Sequence, residues 1–78
     1  MAGKAPKDAS TLARDAFVQE SAEIAAYELL SRIAERAGDH ETADAARGIL
    51  SEERDMAEKL AGTWDHVAEL ALVHAGVQ

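Results

Sequence analysis

From Thr11 to Ala37 the chain runs 27 residues without a proline or a glycine, and no other feature restricts its fold as much. Alanine, leucine, glutamate and arginine fill most of the run; these residues lose little freedom in a helix. A continuous helix over 11–37 spans about 40 Å. Gly38 then suits the left-handed position that ends a helix. Asp39 can cap the next helix, with Glu41 near its positive end. That second helix covers about 41–61. Its one interruption is Gly48, which costs roughly 1 kcal/mol relative to alanine and leaves room for a neighbouring helix to approach closely. Gly62-Thr63 predicts a break with Thr63 as a new cap, and a third, shorter helix follows over 63–75. At the other end Asp8 or Ser10 caps the first helix. Residues 1–9 lack apolar periodicity and read as a flexible arm, leaving 10–78 as one helical unit.

Composition closes off the alternatives. Only Phe17, Tyr27 and Trp64 are aromatic and β-branched residues are few, which disfavours a sheet. No cysteine is present, so neither a disulfide nor a thiolate metal site is available. The net charge is −7, from 15 acidic and 8 basic residues. That balance argues against nucleic acid and anionic membrane as partners, since both recruit clustered Lys and Arg. No apolar run approaches the ~20 residues of a membrane span. Met1 to Asp8 carries lysines but no apolar stretch, so no signal peptide is expected. The chain reads as a soluble cytoplasmic protein.

Placing residues at about 100° each around a helix exposes two misplaced charges. On the first helix Ala13, Ala16, Ile24, Tyr27, Ser31 and Ala34 surround Glu20, with Phe17 slightly further round and Glu23 on the same face. Leu12, Ala26, Leu30, Ile33 and Ala37 form a second apolar strip, and a helix with two strips has more than one neighbour. Arg14, Ser21, Glu28, Arg32 and Arg36 fill a sector expected to face solvent. On the second helix Glu53 is central among Ala46, Ile49, Ala57 and Leu60. An unpaired carboxylate in a dry helix interface costs several kcal/mol. Four explanations stand open: a metal ion bridging the helices, hydrogen bonds or arginine partners, a shared proton, or a stripe shallow enough to admit water.

The run Glu20-Ser21-Ala22-Glu23-Ile24-Ala25-Ala26-Tyr27 resembles the ferritin-like proteins of the bacterial YciE/YciF stress family. So do the turn Ala37-Gly38-Asp39-His40-Glu41 and the segments Ile49-Leu50-Ser51-Glu52-Glu53 and Glu58-Lys59-Leu60. The resemblance covers about residues 12–61 and aligns them with the C-terminal half of that family. It implies an all-α fold: a long antiparallel helical hairpin plus a short C-terminal helix, pairing into a ferritin-like four-helix bundle. It also implies iron or manganese, with zinc as a substitute, held by Glu20 and Glu53 with Glu23 third. Glu20 and Tyr27 fit the seven-residue spacing of a ligand Glu and its following Tyr. The Glu-x-x-His of such bundles becomes Glu53-x-x-Met56. A thioether is a poor ligand for hard iron or manganese, so the chain is expected to bind rather than to catalyse. The alternative is a metal-free structural or interaction module. The full family fold has two more helices ahead of this region. They are expected either from a longer protein or from a second copy.

Further expectations follow. A lone hairpin leaves half of each apolar stripe wet, so the chain should form a homodimer or larger homo-oligomer, burying Phe17, Ile24, Tyr27, Leu30, Ile49, Leu50, Met56 and Leu60. A tight turn sets Glu20 level with Glu58, leaving Glu53 about five residues, or 7–8 Å, away along the axis; Glu23 is nearer to Glu53 in height. His40, His66 and His74 are expected at the surface, and Trp64 as a packing anchor for the last helix. Arg54–Glu58, Asp55–Lys59 and Glu28–Arg32 are expected surface pairs at four-residue spacing.

Overall fold

The computed structural model describes residues 8–76. It is all-α: α1 (Ala9–Arg36), α2 (His40–Ala61) and α3 (Trp64–His74). α1 begins two residues before the expected start because Asp8 is its cap, accepting a 2.8 Å hydrogen bond from the Thr11 amide. Of the expected arm, residues 1–7 lie outside the described residues, while Ala9 is already helical. At the turn Gly38 takes φ +78, a conformation that costs glycine little. The Asp39 amide donates to the Ala34 carbonyl at 2.9 Å, and the Asp39 carboxylate accepts from the Thr42 amide and hydroxyl. The reversal is therefore local chemistry written in two adjacent residues.

α1 and α2 pack antiparallel along their length. The buried and half-buried positions of α1 include 13, 17, 20, 24, 27, 31 and 34; those of α2 include 43, 46, 50, 53, 57 and 60. Steps of three and four alternate without a break, the seam of a two-stranded coiled coil. Both Glu20 and Glu53 occupy seam positions. Small residues dominate the turn end, where Ser31, Ala34, Ala43 and Ala46 are buried and let the backbones approach.

The same spacing continues through 64, 67 and 71, so α3 keeps the phase of α2 across the Gly62-Thr63 break. Thr63 does not cap α3 with its side chain. Its hydroxyl turns back and donates to the Leu60 carbonyl at 2.6 Å, satisfying the end of α2 instead. Trp64 anchors α3 by meeting Phe17 edge to face, ring centroids 5.4 Å apart. Gly48 serves no close approach: a Cβ built there would meet nothing within 4 Å, because the residue faces outward.

The molecule is a slab. Its Cα extents are 56 × 33 × 12 Å, the shortest being the thickness of a single layer of helices. Among the described residues no large side chain is fully buried, and Leu50 at 6 % exposure comes nearest. Of the side chains expected in the core, Leu30, Ile49 and Met56 stay exposed. The two broad faces of the slab differ. Along one, Arg54 donates to Glu28 and Arg47 to Glu35, the latter at 2.9 Å. Along the other, Leu30, Ile49 and Met56 stand with Glu23. Arg14, Ser21, Arg32 and Arg36 are exposed as expected, but Glu28 of the same sector is half-buried, and Arg54 reaches it across the hairpin. Among the described residues no helix is long and apolar enough to cross a membrane.

Candidate metal centre

Midway along the seam, ligand oxygens of Glu20, Glu23 and Glu53 all lie within 4.8 Å of one another. All three residues are half-buried. Glu20 and Glu53 enter from the seam rows of α1 and α2, and Glu23 from the neighbouring row of α1, on the apolar face. With the register set by the tight turn at Gly38, the level count leaves Glu53 nearer in height to Glu23 than to Glu20. Extended glutamate side chains span the remaining distance.

The cluster holds three acceptors with few donors. Oε2 of Glu20 and Oε2 of Glu53 are buried and make no hydrogen bond. The Glu53 carboxyl lies within hydrogen-bonding reach of Glu20, which with burial and the nearby Glu20 and Glu52 charges holds its pKa above the usual carboxylate range, outweighing the opposite effect of Glu23. Glu23 is raised as well, first by its hydrogen bond with Glu53 and then by the Glu53 charge and burial; Gln19 opposes the shift by donating to it. Such raised values mean that packing these carboxylates together is costly while they are anionic. A proton or a cation relieves the cost.

The donor set tests the fit of a metal. Three carboxylates suit a hard cation such as iron(II), manganese(II) or magnesium, and suit copper(I) poorly. The two orphaned oxygens supply acceptors that nothing else in the fold satisfies. Glu20, Glu23 and Glu53 would hold the ion, leaving further coordination positions for water or another ligand. Beside them lies an open groove of about 410 Å³ lined by Ala16, Glu20, Met56, Lys59, Leu60 and Thr63. Met56 is 53 % exposed there. Tyr27 is half-buried two turns from Glu20 in the same seam row.

The histidines are exposed as expected. His40 sits at the turn, its Nδ1 3.2 Å from Glu35; none joins the cluster. Sequence reading missed Gln19, although its four-residue spacing from Glu23 marks a helix-surface pair. It also missed that Glu28 takes two arginines, Arg32 from its own helix and Arg54 from α2.

Fold and cluster together define a helical hairpin with a carboxylate site in its seam. The chain belongs to the family described as Domain of unknown function DUF892, whose model matches residues 1–72. No curated protein and no solved structure matches the chain.

Proposed function

We propose that this protein is a self-assembling, ferritin-like helical module that binds iron or manganese at Glu20, Glu23 and Glu53, with zinc as a substitute. One observation carries the reading: three carboxylates from two helices converge within 4.8 Å, with two buried oxygens lacking any hydrogen bond. A fold that places such groups in its seam is stabilised when a cation joins them. The resemblance of the Glu20–Tyr27 run to the YciE/YciF proteins supports the same reading and suggests a role in bacterial stress. Met56 stands where those bundles use histidine, which favours binding over oxidase turnover.

The second reading is a metal-free interaction module, in which the cluster shares a proton. The hydrogen-bonding reach among the three carboxyls and the raised Glu53 and Glu23 values favour it specifically. Metal analysis of the purified protein, repeated for Glu20→Ala and Glu53→Ala, separates the two. The metal reading expects stoichiometric metal in the wild type and its loss in both variants. Metal-free wild type, with either variant melting higher, overturns it in favour of the second.

A further inference from the structure

Met56 flanks the carboxylate cluster with its sulfur within reach of solvent. It follows Glu53 by three residues on α2, a spacing that sets side chains about 5–6 Å apart at Cβ. From the other side it shares the groove of about 410 Å³ with Glu20 of α1. A methionine that only fills a core would be closed off, yet 53 % of Met56 is exposed. Its two carboxylate neighbours carry the buried oxygens that make no hydrogen bond among the described residues, Oε2 of Glu20 and Oε2 of Glu53. A thioether offers a cation held there little, because soft sulfur matches iron(II) and manganese(II) poorly. The same sulfur is open to two-electron oxidation, which turns a flexible apolar side chain into a polar one.

We propose that Met56 is a site of modification by hydrogen peroxide, and that its sulfoxide oxygen supplies a fourth donor to the cation held by Glu20, Glu23 and Glu53. The inference rests on the metal reading above and adds a redox control to it. The sulfur lone pair attacks one peroxide oxygen and the O–O bond breaks. The departing hydroxide takes the proton from the transferred oxygen and leaves as water. Sulfur loses two electrons and peroxide gains them. The product ends in a hard oxygen of the kind that suits manganese and iron better than the thioether did. The side chain keeps its length and its rotatable bonds, so the new oxygen can turn toward the ion from one helical turn away.

Manganese(II) is the probe, since its paramagnetic resonance signal reads the free ion. The protein is titrated before and after peroxide treatment, with the peroxide removed before metal is added. Peptide mass analysis should place one added oxygen on Met56. The oxidised protein should bind manganese several-fold more tightly, and methionine sulfoxide reductases should reverse both changes. Met56→Leu keeps the volume without the sulfur. Peroxide should leave its affinity unchanged, which separates Met56 from Met1, the other methionine of the chain. Met56→Gln carries a permanent carbonyl oxygen and should bind like the oxidised wild type. Should oxidation abolish the helical circular dichroism, Met56→Gln decides. A Met56 left unmodified while Met1 is oxidised overturns the inference. So does untreated protein that binds manganese as tightly as the oxidised form, and in that case the metal reading stands. If manganese binds neither form, both fall.

Discussion

Phe17 and Trp64 meet edge to face at 5.4 Å with their planes 64° apart, the one aromatic contact tying α3 to α1 among the described residues. Around them Arg14, Val18, Val67 and Ala68 line an open groove of about 270 Å³. Trp64→Ala should release α3. Since Trp64 is 39 % exposed, the loss should be smaller than for a fully buried tryptophan, about 1–3 kcal/mol. Urea unfolding followed by circular dichroism would check the size, and amide exchange would show faster opening across α3 than across α2.

Gly48→Ala should stabilise the protein by about 0.5–1 kcal/mol. The position is inside α2 and an added methyl meets nothing within 4 Å. A shift of the urea midpoint to higher concentration with an unchanged slope is the expected result.

Glu28 accepts from Arg32 and Arg54, and its side chain is 26 % exposed. Glu28→Gln should destabilise the hairpin by roughly 0.5–1.5 kcal/mol, the scale of a partly screened ion-pair network. The effect should shrink as salt is added. Comparing the two proteins' urea midpoints at low and high ionic strength reads both quantities.

Acid should weaken the turn and the start of α1. The Ser10 hydroxyl and the Thr11 amide lower the Asp8 pKa from 3.8 to about 2. Asp39 is lowered by Thr42, and Glu35 chiefly by Arg47. A carboxyl depressed by folding stabilises above its unfolded value, and that contribution disappears as pH falls through the folded value. For Asp8 the loss runs from about pH 4 to about pH 2. Asp39→Asn keeps an oxygen for capping but cannot titrate. Thermal melts between pH 5 and pH 2 should show a shallower acid decline for it than for wild type, with little change at pH 7.

How much of this was legible beforehand depended on how far apart the cooperating residues lie. Gly38 and Asp39 shape the reversal through bonds to residues within a few positions, so the turn could be read directly. Thr63 is equally local, yet its hydroxyl had two possible partners, and the Leu60 carbonyl won over the start of α3. Glu20 and Glu53 were recognisable as charges inside apolar stripes, a property of each helix alone. Their convergence was expected from the family resemblance and not from the helical pattern, because it depends on side chains reaching across an axial offset. Glu28 was misread as solvent-facing for a related reason. Which flank of a helix turns toward its neighbour is a property of the pair, and Arg54 lies 26 residues away along the chain.

The unlike faces of the slab bear on how far any association could proceed. Fibres and sheets grow when a body has adhesive patches on two sides, so that each addition recreates a sticky end. The Leu30–Ile49 face is not the sole apolar surface, since Val18, Leu29, Leu72 and Val73 are also open, while the Glu28–Arg54 pair neutralises its own face. A body with apolar side chains open on more than one side does not by itself limit association to a pair.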